Sequence, residues 1–172
     1  MIEFDDFIRD VQDFPKPGIT FKDLTPVFAN AEAFASLVAE YVETAREFGE
    51  IDMVLGLEAR GFIVGPPVAL ELGAGFVPAR KPGKLPSDFH SVPYGLEYGS
   101  DELQLHRDAL APGDRVLIID DVLATGGTIE AARQLVDAAD AEPVGAIVAL
   151  EISDLDGRNN IKGLDVIALR LE

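Results

Sequence analysis

One stretch, residues 116 to 128 (VLIIDDVLATGGT), constrains the fold of this chain more than any other. Its four consecutive apolar residues, Val116 to Ile119, predict a strand buried on both faces, the pattern of a parallel sheet covered by helices. Two adjacent carboxylates, Asp120 and Asp121, end that strand, where side chains of an α/β sheet meet ligands. The turn Ala124, Thr125, Gly126, Gly127, Thr128 follows and leads into a helical run, Ile129 to Ala139. Glycine lets main-chain N–H groups come close to an anion, the helix start adds a favourable dipole, and the threonine hydroxyls add donors. The combination predicts a phosphate cradle beside a carboxylate pair able to hold vicinal sugar hydroxyls. Each half alone also has a plainer reading. An acidic pair can be a solvated turn or a magnesium site, and the threonine–glycine turn can simply precede an N-cap.

The rest of the chain alternates between the two periodicities. Residues 31–48 carry a helical stripe of Phe34, Leu37, Val38, Tyr41, Val42 and Ala45. Ile51 to Leu57 reads as a strand, and Phe62 to Leu72 as a helix whose Pro66 and Pro67 lie in its first turns or kink it. Gly75 to Ala79, Leu103 to His106, Pro143 to Glu151 and Leu164 to Leu171 read as further strands. Strands alternating with helices predict an α/β fold on a mostly parallel sheet, as one domain over residues 1–172. Residues 82–99 are dense in Pro, Gly and Ser and show little periodicity, which predicts a mobile lid over a site.

Charge narrows the partners. The chain carries 31 acidic against 14 basic residues, a formal net charge of −17, and only five of its cations are lysines. Such a field repels nucleic acid, so no nucleic-acid partner is expected. It reads either as an ordinary solvated surface or as the adaptation of a halophile, in whose salt self-repulsion is screened; the second is the expectation taken here. There is no cysteine, hence no disulfide or thiolate chemistry. No stretch approaches a membrane span and the first residues lack the regions of a signal peptide, so the expected location is cytoplasmic.

Against this acidic background two cationic motifs stand out. Glu58, Ala59, Arg60 and Gly61 follow a strand and precede a helix, a place suited to bidentate anion recognition by arginine. Arg80, Lys81 and Lys84 place three cations within five residues at a strand end, which favours a polyphosphate clamp over a solvated turn. A third segment, Phe14 to Asp23 (FPKPGITFKD), is rigid and rich in proline. It is either the packing of an N-terminal arm or a hood in which Phe21 stacks on a flat heterocycle.

In these motifs and their order, the chain resembles the type I phosphoribosyltransferases, and among them the members that use adenine. Val116 to Thr128 is similar to that family's phosphoribosyl-pyrophosphate (PRPP) motif. The segments 14–23, 58–62, 80–86 and 96–99 (LEYG) resemble its adenine-specific stretches. The resemblance implies a central, mostly parallel sheet flanked by helices, a small N-terminal hood over residues 1–30 and a mobile lid over 82–99. It implies transfer of ribose 5-phosphate from PRPP to N9 of adenine, giving AMP and pyrophosphate, with Mg2+ held mainly by PRPP, in a homodimer. By this likeness Asp120 and Asp121 bind the ribose hydroxyls, and Ala124, Thr125, Gly126, Gly127 and Thr128 bind the 5-phosphate. The turn Glu58, Ala59, Arg60, which in the family contains a cis non-proline peptide, binds pyrophosphate, with Arg60 catalytic. Lys81 and Lys84 assist, in part across the dimer interface. Thr20, Phe21 and Lys22 form the adenine pocket, and Tyr94 occupies the place of the lid's tyrosine.

Two positions depart from the family pattern as aligned in this way. Lys22 stands where arginine is usual, and Pro93 stands before Tyr94 where glutamate is frequent, which removes a carboxylate as proton shuttle. His106 reads as a structural residue and His90 as an exposed lid residue. The competing readings are a sister enzyme using hypoxanthine or guanine, and a non-catalytic purine- or PRPP-binding regulator of the same fold. The N-terminal segment argues against the first, and the absence of a basic helix-turn-helix against the second.

Overall fold

The computed structural model describes residues 3–95 and 100–172. They divide into two compact units, one reaching to Glu40 and the other running from Tyr41 to Glu172. The first holds strands β1 (Arg9–Val11) and β2 (Phe21–Asp23) and helix α1 (Thr25–Ala29). Helix α2 (Ala31–Ala45) begins in it and ends in the second, which continues through β3 (Met53–Leu57), α3 (Gly61–Leu72), β4 (Gly75–Ala79), β5 (Phe89–Gly95), β6 (Ser100–His106), β7 (Arg115–Leu123), α4 (Gly127–Ala138), β8 (Glu142–Glu151) and β9 (Val166–Leu171). The helical stripe read over residues 31–48 thus breaks at Ala45, and residues 46–48 form a 3-10 turn that Gly49, at φ 79°, ends.

Five parallel strands make the central sheet in the order β4-β3-β7-β8-β9. Alternation along the strands sorts their side chains between two buried faces. Leu55, Leu57, Val116, Ile118, Ala146 and Val148 form one core cluster with Ile129, Ala132, Leu135 and Val136 of α4 and Leu103 and Leu105 of β6. Val54, Leu117, Ile119 and Ile147 are equally buried and point the other way. That double burial is why β7 reads as an unbroken apolar run. Helix α3 comes close to the sheet because glycine faces glycine. A Cβ on Gly56 would stand 2.9 Å from the Gly61 carbonyl oxygen, and one on Gly61 would stand 2.7 Å from that of Ile119.

The chain leaves β3 for β4 on one side, and β7 then takes the other side of β3. Neighbouring connections therefore diverge beyond the carboxyl ends of β3 and β7, the crevice where open α/β sheets bind ligands.

Two expectations change. Residues 82–99 are not irregular throughout. β5 pairs antiparallel with β6 from Phe89 opposite His106 to Gly95 opposite Ser100, as a separate two-stranded sheet. Its exposure alternates strictly from Phe89 to Gly95, with Val92 and Tyr94 turned inward against the core cluster. A two-residue period hides easily among Ser, Pro and Gly, and Pro93 is tolerated because the ribbon has only edge strands. The second change concerns β7, which does not end at the carboxylates. It runs on to Leu123 along β8, while its pairing with β3 stops at Ile119 opposite Gly56.

Candidate active site

The loss of the β3 partner after Ile119 defines the site. Asp120 and Asp121 remain held along β8, with no β3 residue paired beside them. Asp121 is only 2 % exposed, so its carboxylate is enclosed by the fold. The Asp121 N–H donates to Asp120 Oδ1 at 2.9 Å, and the Tyr41 hydroxyl donates to the Asp120 carbonyl at 2.7 Å. Burial, reinforced by the charge of Asp121, pushes the Asp120 carboxyl well above the usual carboxylate range. Burial also raises Asp121, against the opposing pull of Arg60. Arg60 Nε lies 2.7 Å from Asp121 Oδ2, an ionic contact whose alignment leaves that buried oxygen without a hydrogen bond.

Arg60 occupies the N-cap position of α3, at the end of the turn that follows β3. The Glu58–Ala59 peptide of that turn is cis, as the resemblance implies. The Glu58 carboxylate accepts the Lys81 N–H at 2.6 Å and faces Arg80 Nε at 3.4 Å. Partial burial works to raise this carboxyl, but those donors outweigh it and it titrates below its ordinary value. Arg80 also exchanges two 2.8 Å main-chain hydrogen bonds with Gln104 of β6. The basic turn is thereby fixed to the turn carrying Arg60. Lys84 is exposed in that turn, its charge felt at Glu58.

Lys81 has a partner that the sequence reading missed. Its ammonium contacts both Asp101 and the Tyr94 hydroxyl, and that hydroxyl donates to Asp101 Oδ2 at 2.9 Å. The Lys81 contact holds the Asp101 carboxyl below its usual range. Burial works to lower the Lys81 ammonium, but Asp101 and Tyr94 outweigh it and raise it. The only sequence signal for Asp101 is its place opposite Tyr94 across the ribbon, and that pairing was not foreseen.

The turn read as the phosphate cradle lies between β7 and α4. Gly126 is left-handed at φ 81°, and Gly127 opens the helix. Tyr94 covers this turn, with its ring carbon Cδ2 3.4 Å from where a Cβ on Gly127 would stand. A cavity of about 450 Å3 opens here, bordered by Pro93, Tyr94, Thr125, Gly127, Glu130 and Asn160. Ala124 and Thr128 complete the turn, half-buried on either side of its glycines. The structure therefore brings Glu58, Arg60, Lys81, Tyr94, Asp120, Asp121 and the turn 124–128 together in one unit.

The segment read as the base pocket lies in the other unit, described by itself. There β1 and β2 pair with Asp10 opposite Lys22 and Val11 opposite Phe21. Phe21 meets Phe14 edge to face at 5.2 Å, the Thr20 hydroxyl donates to Gln12 at 3.0 Å, and Lys22 pairs with Asp10 at 3.0 Å. His90 is half-buried rather than exposed, and His106 keeps a buried Nε2 without a hydrogen-bond partner, in line with a structural place. The segment 96–99 falls outside the described residues. Its sequence nonetheless bears on the departure noted at Pro93, because Glu97 directly precedes Tyr98. A glutamate–tyrosine pair is thus present four residues further on.

The phosphoribosyl transferase domain model matches residues 25–168. The adenine phosphoribosyltransferase of Cutibacterium acnes is 56 % identical over 154 residues, covering 90 % of this chain and 86 % of that protein. That of Halothermothrix orenii is 48 % identical over 171 residues, covering 99 % and 100 %. Among solved structures, the adenine phosphoribosyltransferase of Thermoanaerobacter pseudethanolicus superposes with a TM-score of 0.92 at 47 % identity, covering 98 % of each chain. The Saccharomyces cerevisiae enzyme, solved with an imino-altritol bisphosphate and adenine, gives 0.91 at 38 % identity, covering 97 % and 96 %.

Proposed function

The chain belongs to the phosphoribosyltransferase family, and on that premise we propose that it transfers ribose 5-phosphate from PRPP to N9 of adenine, releasing AMP and pyrophosphate. One observation carries the chemistry: a single crevice at the divergence of β3 and β7 joins an anion-binding turn, a carboxylate pair and an arginine.

The turn 124–128 takes the 5-phosphate on the first-turn amides of α4, which have no partner within the helix. Asp120 and Asp121 accept the ribose hydroxyls. Breaking the C1–pyrophosphate bond builds positive charge on the sugar and negative charge on the leaving group, so catalysis rests on stabilising the latter and excluding water. Arg60, Lys81 and Lys84 serve the pyrophosphate, with Glu58 and Ala59 shaping its turn, and Tyr94 covers the reacting centre. Thr20, Phe21 and Lys22 hold adenine, with Phe21 stacking on the ring.

Magnesium enters with PRPP. Among the described residues, no group of three His, Cys, Asp or Glu side chains gathers to hold an ion alone, whereas Asp121 Oδ2, buried without a hydrogen bond and held by the ionic contact with Arg60 alone, fits water or hydroxyls around a substrate-borne ion. When bound, the ion neutralises charge on the pyrophosphate. The homodimer reading draws on α3, where Ile63 and Leu70, seven positions apart, are 40 % and 80 % exposed. No described helix is long and apolar enough to cross a membrane, and a cytoplasmic place is part of this reading.

The test is consumption of PRPP with adenine, guanine and hypoxanthine in parallel. Turnover with adenine alone is expected. Preference for either oxopurine would reassign the base pocket, and binding of PRPP without turnover would favour a regulator.

A further inference from the structure

The segment from Gly157 to Lys162 has no role in the sequence reading, yet it is fastened to the phosphate turn at several points. Asn160 Nδ2 donates to the Thr125 carbonyl at 2.8 Å, and the Lys162 N–H donates to Glu130 Oε2 at 3.0 Å. Backbone meets backbone between them. A Cβ on Gly157 would stand 2.2 Å from the Ala124 carbonyl oxygen, and one on Gly126 would stand 2.1 Å from that of Gly157. Only glycine at both positions permits this approach. Arg158 anchors the segment in turn, gripping the buried Glu151 carboxylate at 2.6–2.9 Å and donating to the Val166 carbonyl at 2.5 Å.

We propose that Asn160 and Gly157 are positioning residues for the 5-phosphate of PRPP and AMP; this rests on the reading of residues 124–128 as the phosphate turn. In a planar trans peptide the carbonyl and the following N–H point in opposite directions. Holding the Thr125 carbonyl on Asn160 therefore turns the Gly126 N–H to the other side of the turn. Gly157 sets the Ala124 carbonyl, and with it the Thr125 N–H, through the close approach of the two chains. Asn160 also borders the cavity into which Thr125 and Gly127 open, so the fixed peptide lies at the wall of the site. The orientation of the anion-binding amides is thus imposed by a segment some 30 residues further along the chain.

Asn160→Asp tests this with little change of shape, since it removes the donor and sets a carboxylate against the Thr125 carbonyl. The KM for PRPP is expected to rise about fivefold, the worth of one such hydrogen bond, and that for adenine to stay within about twofold. AMP binding should weaken by a similar factor while adenosine binding, which lacks the phosphate, stays unchanged. Asn160→Gln, which keeps the amide donor, should recover part of the loss, and Gly157→Ala should exceed it if the variant folds. Wild-type KM for PRPP and AMP binding in Asn160→Asp would overturn the proposal, as would equal weakening of AMP and adenosine. Titration of ribose 5-phosphate by calorimetry reads the same position without turnover. A wild-type chain inactive with adenine would therefore count against the proposed function and leave this inference to be decided separately.

Discussion

Of the three cations assigned to pyrophosphate, two rest on carboxylates: Arg60 on Asp121 and Lys81 on Asp101. Arg60→Ala is expected to lower kcat/KM by about 2.7–4 kcal/mol, the loss seen when an oxyanion-type donor is removed. Arg60→Lys should recover it only in part, because an ammonium cannot reproduce the guanidinium fork. Full activity in the lysine variant would show that charge alone matters there. At Lys81 the expectation has the opposite sign. On the proposed role of Lys81, pyrophosphate displaces Asp101, so Asp101→Asn should tighten product inhibition by pyrophosphate by up to about fivefold, the ~1 kcal/mol ceiling of a partly exposed ion pair. Unchanged or weaker inhibition would mean that Asp101 presets the lysine rather than competing for it. Both cations were legible in the sequence, where they break an acidic background. Their pairing with carboxylates was not, because 61 positions separate Arg60 from Asp121 and only the fold joins them.

Helix α4 and the β5–β6 ribbon carry predictions that belong to elements. In the first turn of α4, Glu130 gathers Arg133, Gln134 and the Lys162 N–H. Burial works to raise this carboxyl, yet these donors bring it from 4.5 down to about 2. A carboxyl depressed by folding adds stability above its unfolded value and loses it as pH falls toward the folded one. Glu130→Gln should therefore cost about 2–3 kcal/mol at pH 7, and the gap from wild type should close as the pH falls from about 4.5 toward 2. Thermal melts across that range would show it, and a gap independent of pH would deny the carboxylate its role. In the ribbon, Tyr94→Phe keeps the ring over Gly127 and removes only the hydroxyl shared with Lys81 and Asp101. It should retain much of the activity, whereas Tyr94→Ala should lose most of it. Pro93→Glu and Glu97→Gln, assayed for kcat, decide between the two tyrosine pairs. A loss in Glu97→Gln with little change in Pro93→Glu would place the lid's carboxylate at Glu97.

For the whole molecule, the net charge of −17 on 172 residues sets up self-repulsion that salt screens within about 10 Å at 0.1 M and about 3 Å at 1 M. If the acidity is an adaptation to high salt, the midpoint of thermal unfolding should climb as potassium chloride rises from dilute to molar. A flat or falling midpoint would return it to an ordinary solvated surface. An ion pair such as Arg46–Glu43 is largely exposed, so its screening would offset little of such a gain.

Local chemistry let the sequence alone determine the alternation of strands and helices, the glycine turn ahead of α4 and the cations that break the acidic background. Each depends on neighbours within a few residues: an apolar run for β7, glycine for a left-handed turn, proline and glycine for a break. What only the tertiary structure decided depends on partners far along the chain. β7 runs past its carboxylates because β8 continues beside it, although β3 has stopped. Helix α3 closes on β3 and β7 because Gly56 and Gly61 let the backbones approach. Residues 89–95 are a strand because β6 pairs with them, and Asn160 touches the turn 124–128 because two glycines let the backbones meet. Pairing and close approach are properties of two segments at once, and a single stretch of sequence carries only its own half.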